Sequence, residues 1–243
     1  MNIKKSEILI YTMLLIAVVT GCQLRQKQEV DIHSHPVNPQ ADSLYRKAMA
    51  LMQSSYDVDS TRKCIHFLDS ALAIDSMNPD YYGIKAKLLS EMGELDSALY
   101  VQMRAVEKKA ITGEYLFQLG LFQAAKDMDA EAHASFGKSK DYLQAILSQY
   151  PDSLGAFILA EAANALYQKN DSLFCQDIIE IRKRFSDRLM ELEMIRRVKP
   201  RSLIRQIKNI QIKKEYNIDF DLDSLVMDAA NKQETKVAAK QKS

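Results

Sequence analysis

The chain has 243 residues, 47% of them apolar and 27% charged, with a net charge of +1. That is enough apolar material for one buried core with appendages, and the balanced charge excludes a molecule drawn as a whole to nucleic acid or acidic surfaces. Seven glycines, five prolines and no tryptophan favour long helices over a turn-rich β fold.

At the amino terminus Lys4 and Lys5 precede the apolar run Ile8–Val19. As a helix this run would span roughly 18 Å, short of the ~30 Å hydrocarbon core of a bilayer. It reads as the charged and apolar regions of a secretory signal over residues 1–21. The stretch Val19-Thr20-Gly21-Cys22 then resembles the lipobox of bacterial lipoproteins, an aliphatic residue and two small ones before a Cys. The resemblance implies cleavage before Cys22, lipidation of Cys22, and a chain anchored by acyl groups rather than spanning the membrane. The alternative is an ordinary signal that happens to contain a Cys. Gln23 follows the Cys, not the Asp that resembles a retention signal for the inner membrane in some bacteria. The stretch QLRQKQEVD also lacks the acidic cluster that sends certain lipoproteins outward. The resemblance therefore implies the cell envelope, at the outer membrane and facing the periplasm. Residues 22–40, polar and carrying His33, His35 and Pro36, read as a linker from membrane to fold.

Between residues 41 and 185 a period emerges. Asp59, Gly93 and Asp127 stand 34 residues apart; five residues after each come Cys64, Ala98 and Ala132, and twelve after each Ala71, Ala105 and Ser139, all small. Seven before Gly93 and Asp127 sit Ala86 and Gly120, and four further back the large Tyr82 and Leu116. Small residues at these places let two helices cross closely, where large ones would force them apart. The period and sizes resemble the tetratricopeptide repeat, a pair of antiparallel helices. The expected fold is all-α, an α-solenoid of about four such helix pairs with helices added at the C-terminal end. Leu44, Ala48 and Leu51 fit the first helix of the first repeat if the turn SSYDVDS is long. Leu159, Ala163, Asn170 and Cys175 fit the last repeat after a gap of 43 residues, with Arg182 at its final small position. The additional residues lengthen the preceding helix through KSKDYLQAILSQY to Pro151. Cys64 and Cys175, both at close-packed positions, are expected as buried free thiols far apart.

The resemblance also implies a concave groove lined by the first helices. Carried over, the lining is Tyr45, Met49 and Met52; Asp80, Gly83, Lys87 and Ser90; Glu114, Phe117, Leu121 and Ala124; and Phe157, Ala160, Asn164 and Tyr167. Six of these are aromatic or Met where a solvated face would be polar, which marks a partner site with Phe117, Leu121 and Phe157 as anchors. The alternative is that the linker or the C-terminal helices of the same chain cover the strip. The Lys and Asn set with which some members of the family hold a C-terminal carboxylate is missing.

From residue 186 to 230 the sequence reads as a basic helical extension. SDRLMELEMIRR and SLIRQIKNIQIKKEY have Ser at helix starts and helical apolar spacing. Residues 181–215 carry 12 Lys or Arg against four Asp or Glu. Arg182, Lys183, Arg184, Arg196, Arg197, Arg201, Arg205, Lys213 and Lys214 form a candidate basic patch for anionic lipid or an acidic polymer. The commoner meaning of such a run is a solvated helix face. Residues 231–243 read as a disordered tail.

Nothing in the chain points to catalysis. There is no Gly-rich phosphate loop after a strand pattern, and the His33/His35 pair has no third histidine beside it to make a metal site. His66 and His133 fall inside helices, and Asp80, Asp96, Asp152 and Asp171 sit near helix starts, where carboxylates stabilise free N–H groups. The expectation is a protein that binds a protein or peptide, not an enzyme, with no cofactor, no metal and no nucleic-acid partner.

Overall fold

The structure is a computed structural model. It describes residues 36–55, 57–189, 192, 195 and 199–216. The signal segment, Cys22, the linker up to His35, Arg196, Arg197 and the tail lie outside the described residues.

The described residues are all-α, with nine α-helices and no strand. They are α1 (Pro39–Ser54), α2 (Val58–Ile74), α3 (Pro79–Glu91), α4 (Leu95–Glu107), α5 (Gly113–Ala125), α6 (Asp129–Gln149), α7 (Leu154–Tyr167), α8 (Asp171–Arg184) and α9 (Pro200–Glu215).

Local chemistry sets most of the boundaries. Asn38-Pro39 and Asn78-Pro79 open α1 and α3 alike: the Asn side chain accepts backbone N–H bonds and Pro holds the first helical φ. Asp57 opens α2 by accepting from Ser60 N. Asp59, read from the sequence as the turn of the first repeat, therefore lies inside the first turn of α2. The 21-residue α6 runs on to Gln149, two residues before Pro151, as the long insertion implied.

Helices α3, α4, α5 and α7 end in one way. Gly93, Lys109, Asp127 and Lys169 take φ of 70°, 59°, 58° and 53°. The next N–H in each case reaches back five residues: Glu94 to Leu89, Ala110 to Ala105, Met128 to Gln123 and Asn170 to Ala165. This left-handed residue with a long return bond satisfies carbonyls that the helix end would leave open.

Those turns correct the register of the last helix pair. The left-handed residue there is Lys169, not Asn170, because the Asn170 side chain is engaged in accepting from Ser172 N at the start of α8. The interval from Asp127 is thus 42 residues, not 43. Five, nine and twelve residues beyond Lys169 stand Phe174, Ile178 and Ile181, all buried, while Cys175 is half-buried and Arg182 leaves the close-packed position. Cys175 is therefore not the buried small residue that the sequence led us to expect. Cys64 is: its thiol donates to Ala48 O at 3.4 Å, and both cysteines are free.

Each helix packs on its neighbours in sequence, and α3 also meets α5 and α5 meets α7. The apolar core is correspondingly strung along the chain in three clusters, around α1–α2, around α3–α5 and around α5–α8. At the crossings Ala48, Cys64, Ala71, Ala86, Ala98, Ala105, Ala132 and Ser139 are all buried. The fit is tight. A Cβ on Gly120 would lie 2.6 Å from Phe136, and Ser139 Oγ donates to Gly113 O across the α5–α6 contact at 2.7 Å. Helix α5, packed against α3, α4, α6, α7 and α9, keeps almost no polar face. Each fully buried Leu, Ile or Phe contributes about 1.5–3 kcal/mol by leaving water.

Candidate partner surface

After α8 the chain turns through Ser186–Arg188, and beyond it Leu192 and Ile195 are helical and buried in the α5–α8 cluster. Helix α9 then runs back across α7, α5 and α3. Leu203 joins the cluster that holds Phe117 and Leu121, and Ile204 and Ile207 pack against both this cluster and the α3–α5 cluster. The C-terminal helix of the chain thus packs along α7, α5 and α3, the helices that the sequence marked as lining the groove.

The polar side of the contact is as regular. Arg201 Nε binds Asp171 at 3.1 Å, Lys208 binds Asp127, and Lys214 binds Glu94 at 2.9 Å. Glu94 and Asp127 stand in the turns that follow α3 and α5, and Asp171 is the first residue of α8. The cations are spaced seven and six residues apart, about 10.5 and 9 Å along a helix, close to the ~8–10 Å between packed helices. The two partners also cap one another. Asp171 accepts from Arg201 N in the first turn of α9, and Gln211 Oε1 accepts from Leu95 N at the start of α4, whose own N-cap side chain makes no such bond.

Against this geometry the anchors named from the sequence divide. Phe117 and Leu121 are 4% and 8% exposed, so they are core residues and not accessible anchors; Phe117 packs on Phe136 with ring centres 6.0 Å apart. Lys87 is buried too, beside Glu91 at 3.7 Å, and burial lowers the Lys87 pKa and raises that of Glu91. Phe157 is half-buried, edge-on to Phe185 and under the Arg184 guanidinium, 4.9 Å from the ring centre. Tyr167 stacks on His133 at 4.2 Å with Lys140 over its ring, so it belongs to the α6–α7 contact. Asn164 is half-buried on α7. With Lys169 as the turn residue, the positions of α7 equivalent to the groove lining are Ala156, Leu159, Ala163 and Leu166, all of them buried.

Tyr45, Met49 and Met52 are half-buried on α1; Tyr45 and Met52 pack against the α1–α2 cluster, and Tyr45 leans on Tyr81 at 5.3 Å. Burial pushes the Tyr45 and Tyr81 hydroxyls up, Tyr81 to about 12. A second apolar row, absent from the sequence reading, lies on α4: Tyr100, Met103 and Val106 are exposed at three-residue spacing. That spacing is legible in the sequence, but it lies away from the side of α4 on which Ala98 and Ala105 are close-packed.

The basic patch is not one face. Arg201 and Lys214 are paired across α9 as described, Lys183 pairs with Glu180 within α8, and Arg184 donates to Pro151 O at 2.7 Å and sits 3.6 Å from Asp152. Arg182 is half-buried; Arg205 is exposed and Lys213 half-buried on α9.

Among the described residues no group of His, Cys, Asp or Glu could hold a metal ion, and no helix is long and apolar enough to cross a membrane. Comparison of the chain with family models, with curated proteins and with solved structures finds no match.

Proposed function

We propose that the protein is a lipid-anchored adaptor of the cell envelope, an α-solenoid of tetratricopeptide-like helix pairs that faces the periplasm and binds another protein or peptide. The observation that carries this reading is the burial of small residues at 34-residue spacing: Cys64, Ala98 and Ala132 in one row, Ala71, Ala105 and Ser139 in the next. Consecutive helix pairs joined by such crossings offer side chains to a partner along their first helices, and among these Tyr45, Met49 and Met52 form a half-buried apolar strip on α1. The anchor rests on the sequence Val19–Cys22.

Two experiments test the reading. Crosslinking in the native envelope followed by mass spectrometry should recover a defined partner, and the triple variant Tyr45→Asp, Met49→Asp, Met52→Asp should lose it while keeping its helical circular dichroism. Equal recovery would remove α1 from the account. Cys22→Ala should abolish partitioning into detergent; unchanged partitioning would show that Ile8–Val19 is itself the anchor. Binding of anionic lipid by the basic extension is the weaker reading, since Arg201, Lys208 and Lys214 are already opposed by carboxylates.

A further inference from the structure

We propose that the face of α3, α5 and α7 beneath α9 is a docking surface for a basic amphipathic helix, and that α9 is its resident occupant, exchanged when a partner helix of the same pattern arrives. The inference rests on the adaptor reading and names the chemistry of the partner.

The seat has three acidic contacts in a row and an apolar floor. Glu94, Asp127 and Asp171 meet one cation each at the helical spacing of Lys214, Lys208 and Arg201. Between them Leu203, Ile204 and Ile207 rest on the two apolar clusters. At the far end Gly93 leaves room that no other residue would: a Cβ there would lie 2.7 Å from Lys214 Cβ and 3.2 Å from Ile210 O. A seat so shaped accepts a helix backbone at close range, with cations at intervals of seven and six residues and apolar residues between them.

The occupant is held loosely. Only Pro200 and Leu203 of α9 are buried, whereas ten of the thirteen residues of α5 are. Its three ion pairs each have a solvated member, and exposed pairs contribute little and are screened by salt. Gln206 Oε1 is buried without a hydrogen-bond partner, a cost that a better-fitting helix would avoid. Loss of α9 would uncover the Leu95 N–H, which water then satisfies, so that donor is not left unpaired.

The test uses the full-length protein in detergent and a fluorescent synthetic peptide with the sequence Lys199–Tyr216. In the variant Arg201→Glu, Lys208→Glu, Lys214→Glu the seat is intact and its occupant repelled. The α9 amides of that variant should exchange with solvent about tenfold faster, and the peptide should bind it about tenfold more tightly than it binds the wild type, in low salt. A peptide with the same three cations changed to Glu should not bind. Unchanged protection of α9 in the variant, or absent or equal peptide binding once α9 exchanges freely, overturns the proposal. Should the triple variant lose its helical circular dichroism, Lys208→Glu alone, at an exposed pair in the middle of α9, carries the same comparison. Failure of native crosslinking to find any partner would remove the adaptor reading and leave the peptide result standing; failure of the peptide would leave a crosslinked partner to the α1 surface.

Discussion

Gly93 and Lys214 touch: the turn that ends α3 and the last turn of α9 approach so closely that a β-carbon on Gly93 would stand 2.7 Å from Lys214 Cβ. Gly93 also holds a φ of 70°, so two demands meet at one residue. A left-handed turn there closes α3, and the missing side chain admits α9.

Gly93→Ala should therefore cost more than backbone strain alone. The left-handed φ accounts for about 1–2 kcal/mol, and the contact with Lys214 adds to it. For a chain of this size the thermal midpoint should fall by roughly 2–8 °C. Hydrogen exchange should show the last turn of α9 loosened before α3. A midpoint within error of the wild type would mean that α9 does not lie on Gly93.

Gly120 and Gly83 make a matched pair inside helices. A Cβ on Gly120 meets the Phe136 ring at 2.6 Å, whereas on Gly83 the nearest atom is Gln118 Oε1 at 3.8 Å. Both substitutions to Ala gain about 1 kcal/mol of helix propensity. Gly83→Ala keeps that gain; Gly120→Ala loses it to overpacking of about 1–3 kcal/mol. Denaturant midpoints should move in opposite directions, and Phe136→Leu should partly rescue Gly120→Ala. Equal shifts would place the α5–α6 crossing elsewhere.

Glu161 on α7 is hydrogen-bonded to Asp177 on α8, and burial first, then this bond and the like charge, raise its pKa to about 7. Between the ordinary carboxyl range and about pH 7 the folded chain thus holds a proton that the unfolded chain has released. Stability from this group is present on the acid side and is lost as pH rises through the raised pKa. The side chain is partly solvated, so the effect is modest. Thermal midpoints recorded from pH 5 to pH 8 should decline less in Glu161→Gln than in the wild type. The same decline in both would separate the two carboxyls.

The two structural thiols should differ in reactivity. Cys64 is 1% exposed and burial pushes its pKa up, while Cys175 is half-buried. Alkylation of the folded protein should label Cys175 first, with Cys64 protected until unfolding. Cys64→Ala should be mild, and Cys64→Leu should cost about 1–3 kcal/mol by crowding Ala48. Rapid labelling of both thiols would contradict the packing of α1 on α2.

What the sequence determined by itself is what a few neighbouring residues decide. Asn-Pro opens α1 and α3, Gly93 closes α3, Pro151 bounds α6, and the small residues at 34-residue spacing lie where helices cross. Lys169 shows where that locality fails. Asn170 is the better left-handed residue by type, yet its side chain is spent on capping α8, so the backbone turned one residue earlier and moved the inward face of α8 from Cys175 to Phe174. The tertiary structure alone decided that Phe117 and Leu121 are core, and that Arg201, Lys208 and Lys214 belong to Asp171, Asp127 and Glu94. Apolar and basic residues on a helix read alike whether they face water, a partner or the same chain. Which of these they meet depends on how the helices stack, because a pairing across 120 residues leaves no mark in the local pattern of either segment.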